Sequence, residues 1–82
     1  MTTKIVLSEE IKEMRPYWKQ FIIDLGYTQE QADNFAAGYE EELNKLSTID
    51  KLYALERQHQ GCMTAGFKKA GINEDEAWEK AQ

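Results

Sequence analysis

Twice in 82 residues the chain stops one helix and starts another with the same chemistry, and that punctuation constrains the fold more than any other feature. Gly26-Tyr27-Thr28-Gln29-Glu30-Gln31-Ala32 and Gly71-Ile72-Asn73-Glu74-Asp75-Glu76-Ala77 both run glycine, apolar residue, cap, two polar residues, Glu or Gln, alanine. Glycine takes the left-handed conformation that ends a helix without a steric penalty. Thr28 and Asn73 are side chains that accept from the orphan N–H groups of the next helix. Gln31 stands where a capping box needs it. Stop-and-start chemistry accounts for the likeness by itself; duplication of an ancestral unit is the alternative.

Between these marks the apolar residues follow helical spacing. Ile11, Met14, Trp18, Phe21, Ile22 and Leu25 lie on one face. Ser8 precedes them as a cap, with Glu9 and Glu10 against the positive end of the helix dipole. Pro16 falls inside the stripe, where it removes a backbone donor and crowds the preceding turn. The unbroken spacing predicts one helix, residues 9–25, kinked at Pro16. Ala32, Phe35, Ala36, Tyr39, Leu43 and Leu46 predict a second over 29–46. Ser47 to Asp50 form a break and a new cap. A third helix over 49–70 then turns Ile49, Leu52, Leu55, Met63, Phe67 and Ala70 inward, with a bend near Gln60-Gly61. A short last helix, 74–81, carries Ala77, Trp78 and Ala81.

Residues 1–7 read as an extended N-terminal arm, because Ile5-Val6-Leu7 has no second strand pattern to pair with; it is expected to pack on the helices, the alternative being addition to a partner's sheet edge. The expected fold is all-α: a compact antiparallel bundle of three main helices and a short fourth, in one domain spanning 8–82. Phe35, Tyr39 and Leu43 are expected in its core, against Trp18, Phe21 and Leu52. Gly38 and Gly66 permit close helix approach.

Charge and composition exclude several functions. Fifteen acids against ten Lys and Arg give a net charge of −5. Nucleic-acid affinity comes from cations displacing counterions, so neither DNA nor RNA is an expected partner. The same sign disfavours an anionic membrane surface. The longest apolar run, Phe21-Ile22-Ile23, is far short of the ~20 residues that span a bilayer. One Lys and three apolar residues at the start are too few for a signal peptide. A single Cys forms no intrachain disulfide, and a cytoplasmic protein with reduced Cys62 is the simplest account. No nucleophile–base pair and no Gly-rich phosphate loop is legible, so neither an enzyme nor a cofactor is expected.

Three constellations stand out. Glu56-x-x-His59 has the spacing by which one helix offers two metal ligands, and Cys62 flanks the same face. One chain holds too few ligands for a closed site, so a homodimer would have to complete it. The plainer account is a Glu–His hydrogen bond at the core rim, or a bend that turns these groups to solvent, and the expectation is no metal. Cys62 has no cation in helical reach to activate it as a nucleophile. Second, Glu30, Asp33, Glu40 and Glu41 share the outer face of helix 29–46, either as a solvated surface or as a docking stripe for a basic partner. Third, Ile23 points away from its own stripe, among Lys12, Lys19 and Gln20; either the N-terminal arm covers it or a partner does. Tyr17 and Tyr53 sit at stripe edges.

Leu25-Gly26-Tyr27-Thr28-Gln29-Glu30-Gln31-Ala32 resembles the first loop of ubiquitin-associated domains, which place Met or Leu, Gly, and Phe or Tyr before a capped helix with an early Ala. The likeness covers eight of the 82 residues, helix 29–46 is longer than that family's second helix, and ubiquitin binding is not carried over.

The expected function is stoichiometric binding to another protein with a basic surface, as a small regulator, inhibitor or adaptor, of the kind a bacterium or its phage uses as an accessory protein. The alternative is a self-associating helical protein with a metal or small-ligand site at Glu56, His59 and Cys62 across a dimer.

Overall fold

The computed structural model describes residues 7–57 and 59–82, with side chains from Glu9 onward. Among these residues there are five α-helices and no strand: α1 Leu7–Asp24, α2 Gln29–Leu43, α3 Thr48–Glu56, α4 Gln60–Ala70 and α5 Glu74–Ala81. Helix α2 is central, packed on α1 and on α4; α3 lies on α1, and α5 on α4. The result is the all-α bundle that the apolar periodicity implies. The arm expected over residues 1–7 lies outside the described residues, except that Leu7 already belongs to α1. Ser8 therefore sits inside the first turn and not at the cap. Pro16 is carried within one continuous α1.

The two matching segments fold alike. Gly26 and Gly71 take φ of +94° and +70°. At the first, Gly26 N–H donates to the Ile23 carbonyl and Tyr27 N–H to that of Ile22; at the second, Gly71 N–H donates to Lys68 and Ile72 N–H to Phe67. Both are the paired bonds of a Schellman ending, which satisfy carbonyls the helix itself leaves over. Thr28 and Asn73 then cap α2 and α5 by accepting from the N–H of Gln31 and Glu76. Only the first copy closes the reciprocal bond, from Thr28 N–H to Gln31 Oε1. Glu76 reaches forward instead, to Lys80. The alanine that ends each copy, Ala32 or Ala77, is fully buried.

The core centres on Phe35, Tyr39 and Leu43 of α2. Tyr39 stacks on Trp18 with centroids 4.3 Å apart, and Phe35 on Phe67 at 4.9 Å. Helices α2 and α4 touch backbone to backbone where Gly38 meets Gly66. A Cβ at Gly38 would stand 2.7 Å from the Ala65 carbonyl oxygen, and one at Gly66 would stand 2.8 Å from Phe35. Glycine in a helix costs roughly 1 kcal/mol against alanine; here it lets Phe35 and Phe67 meet.

Besides the shift of α1 to Leu7–Asp24, two boundaries differ from those the pattern implies. Helix α2 ends at Leu43, not residue 46, and tighter bonds from Lys45 N–H to Glu42 and Leu46 N–H to Leu43 close it. The larger correction is the third helix. No single helix runs over 49–70: Arg57 is extended, at φ −139° and ψ 161°, and α4 starts afresh at Gln60 with His59 as its cap. The break falls before Gln60-Gly61, and it resets the helical phase. Leu55, Met63, Phe67 and Ala70 are buried as expected, but Ala54 takes an inner position, Leu52 is only half-buried, and Ile49 is 79% exposed. Leu52 accordingly is not one of the core partners of Phe35 and Tyr39.

Candidate functional site

Intramolecular cations engage most of the acidic face of α2. Glu40 is clamped by Arg15 of α1, which donates to it through both Nε and Nη2. Asp33 lies 3.3 Å from Lys19 Nζ, also on α1. A bond from Gln29 and then that lysine hold the Asp33 carboxyl below the usual carboxylate range. Glu41 turns the other way and pairs with Lys69 of α4 at 2.9 Å. Glu30 is exposed and has no ion pair among the described residues. The stripe thus straddles the seams between helices: Asp33 and Glu40 tie α2 to α1, and Glu41 ties it to α4. Exposed ion pairs of this kind contribute little stability, of order 0–1 kcal/mol each. They do cancel the negative field that a basic partner would sense. Ile23 is half-buried and packs against the core.

Glu56, His59 and Cys62 do not converge within the chain. Glu56 ends α3 and is exposed, while Cys62 is fully buried. His59 spends its Nδ1 as an acceptor for Cys62 N–H, at 3.3 Å, capping α4. No group of three His, Cys, Asp or Glu among the described residues is placed to hold a metal ion. Burial pushes the Cys62 thiol up to about 11, so it is present as the unreactive thiol at neutral pH.

The joint that separates α3 from α4 builds something the sequence pattern does not reveal. Its pin is the Tyr39 hydroxyl, which donates to the Ala54 carbonyl at 2.7 Å and more weakly to that of Arg57 at 3.4 Å, and accepts from His59 N–H at 3.4 Å. One hydroxyl thereby satisfies a carbonyl at the end of α3 and an N–H at the start of α4. Burial raises Tyr39 to about 12, so the group stays a neutral phenol able to donate.

Beside that pin α1, α2 and the end of α3 enclose an aromatic cleft of about 180 Å³. Trp18, Phe21, Phe35 and Tyr39 supply its rings, Ala54 and Leu55 the facing helix. Met14 and Met63 also line it, as side chains that adapt to irregular shapes. Tyr17, 69% exposed, stands at its edge with the exposed Glu56 and Arg57. Tyr53 and Ile49, one helical turn apart on α3, are exposed as well. Tyr17 and Tyr53 already stand at stripe edges in the sequence; that the two helices frame an opening depends on where α3 stops.

Comparison of the chain with known protein families, with characterised proteins and with solved structures finds no match.

Proposed function

We propose that this protein is a stoichiometric protein-binding module, a regulator, inhibitor or adaptor, and that it docks a partner with a basic surface at the cleft between α1 and α3. The observation that carries this reading is the cleft itself: an aromatic-lined opening edged by a solvent-exposed tyrosine, in a chain of net charge −5. Interfaces favour tyrosine, which offers a large contact area with a small loss of freedom, and methionine, whose flexible side chain adapts to irregular shapes. The paired acids of α2 act at most as a weak outer rim, where charge affects the rate of encounter more than the lifetime of the complex.

Affinity capture from native lysate tests this reading, with the full chain and its Tyr17→Asp variant immobilised side by side. Tyr17 is exposed, so the variant folds. A protein retained by the parent, lost with Tyr17→Asp and released by salt supports docking at the cleft. A retained set that is identical for the two chains refutes it.

A further inference from the structure

Resting on that reading of the cleft, we infer that its occupant is a basic amphipathic helix, which seats one branched or aromatic side chain against Trp18, Tyr39 and Leu55. Size is the first argument. An apolar cavity of roughly 150 Å³ admits a benzene ring, and the cleft measures about 180 Å³. It holds one side chain and no more. Chemistry is the second: among the described residues the only charged side chains lining it are Glu56 and Arg57, both exposed, so its depth offers an incoming group apolar contact. An anchor that carried a charge inward would lose its hydration with no partner to replace it.

The element that brings the anchor follows from what surrounds the opening. There is no strand among the described residues, hence no sheet edge there to which an extended peptide could add. Two helices border the cleft, and the groove between helices is where an amphipathic helix lays its apolar face. The sign of its flanks follows from unspent charge. The acids of α2 at the seams are already paired, but Glu13 and Glu56 have no ion pair among the described residues. Glu13 shares with Met14 and Tyr17 a depression that continues the cleft along α1. Among the described residues Arg57 is the one cation lining the mouth, against these two acids. Lys or Arg three or four residues from the anchor would face Glu13 and Glu56. The opening is also preformed, since the Tyr39–Ala54 bond and the Trp18–Tyr39 stack hold α1, α2 and α3 in place without a ligand.

Two probes on the full chain decide this. Toluene, titrated as the bare anchor, is expected to move the methyl resonances of Met14 and Met63 and the Trp18 indole, and to leave α5 unmoved. A helical peptide of about 18 residues, built from Ala, Gln and Lys with one central Phe, is expected to bind at the same resonances. Exchanging its Phe for Ala, or its Lys for Glu, should each weaken binding at least roughly tenfold. Glu56→Lys should weaken the basic peptide and flatten its salt dependence, whereas Glu79→Lys, on α5, should not. The inference is overturned if neither probe moves the cleft resonances, if the Phe and Ala peptides bind alike, or if the Lys and Glu peptides bind alike. Should that happen while a lysate partner is still lost with Tyr17→Asp, the docking surface stands and only the class of occupant falls.

Discussion

Tyr39→Phe isolates the pin between α3 and α4. The substitution keeps the ring on Trp18 and removes only the hydroxyl, so no cavity larger than one oxygen is made. Three groups lose a partner: the buried Ala54 carbonyl, the Arg57 carbonyl, which takes a longer share of the same proton at 3.4 Å, and the part-buried His59 N–H. A hydrogen bond contributes about 0.5–1.5 kcal/mol net, and a buried acceptor left unpaired costs about 1–3 kcal/mol. His59 N–H recovers part of its loss from water, so the expected destabilisation is about 1–3 kcal/mol, or roughly 4–24 °C in Tm for a domain of this size. The deficit should also be local, with amide exchange at Arg57 to Met63 accelerated more than in the middle of α2.

An alkaline titration gives the same argument a second reading. Tyr39 titrates at about 12 in the fold but near 10 in the unfolded chain. Its raised value means the unfolded state releases the proton first, so the stability contributed by the neutral phenol is complete below pH 10 and is lost between pH 10 and 12. The Tyr39→Phe variant has no such proton, and the gap between parent and variant should narrow across that window. A Tyr39→Phe protein that melts within a degree of the parent at pH 7, or a gap that stays constant from pH 9 to 12, refutes the pin.

Other substitutions probe separate parts of the structure. Phe35→Ala removes a fully buried ring and should cost about 3–5 kcal/mol in denaturant unfolding, most of a small domain's stability. Gly38→Ala drives a methyl toward the Ala65 carbonyl; overpacking of about 1–3 kcal/mol should outweigh the helix-propensity gain, and a more stable variant would disprove the tight crossing. Glu74 accepts from Trp78 within α5 and from Thr64 and Gln60 across the α4–α5 joint, and these donors, Trp78 first, hold its carboxyl below the usual range. Its contribution is therefore present above the ordinary Glu value and lost as pH falls through the lowered one, so Glu74→Gln should flatten the acid limb followed by tryptophan fluorescence. The Tyr27 hydroxyl is buried with no hydrogen-bond partner among the described residues, so Tyr27→Phe should be neutral or slightly stabilising in a thermal melt, with Lys80 kept 4.3 Å from the ring centroid.

What the sequence makes legible is whatever is decided within a few residues. Gly26, Thr28, Ser47, Gly71 and Asn73 act as stops and caps because each meets backbone groups one turn away. The apolar stripes of α1 and α2 hold for the same reason: an uninterrupted helix keeps its phase, so counting residues is counting angles. The count fails after Glu56, where the local signal is weak. Nothing between Leu55 and Gln60 is a proline or a glycine, and Glu56, Arg57 and His59 are tolerable in a helix. At the break Tyr39, twenty positions before His59, carries a buried hydroxyl into the joint, where it bonds the Ala54 and Arg57 carbonyls and the His59 N–H. That is a tertiary decision, and it has consequences on both sides. Upstream the phase slips, which exposes Ile49 and buries Ala54; downstream His59 becomes a cap and gives up its place beside Glu56 as a ligand.

The acidic stripe of α2 shows the same limit in charge. A helical wheel places Glu30, Asp33, Glu40 and Glu41 on one outer face, and in the fold that face straddles the seams of α2 with α1 and with α4. The wheel holds no information on the bases of other helices, and Arg15, Lys19 and Lys69 come from α1 and α4 to meet three of the four. Seam acids and exposed acids look alike in one dimension, yet only unpaired ones act at a distance. The prediction that separates them is salt-dependent association. Reversal of Glu56 should alter the encounter with a basic ligand, whereas reversal of Glu41 exchanges one attraction for a repulsion against Lys69 and should register in the α2–α4 seam. If Glu41→Lys slowed association more than Glu56→Lys at equal folding, the stripe and not the cleft would be the face that the partner meets.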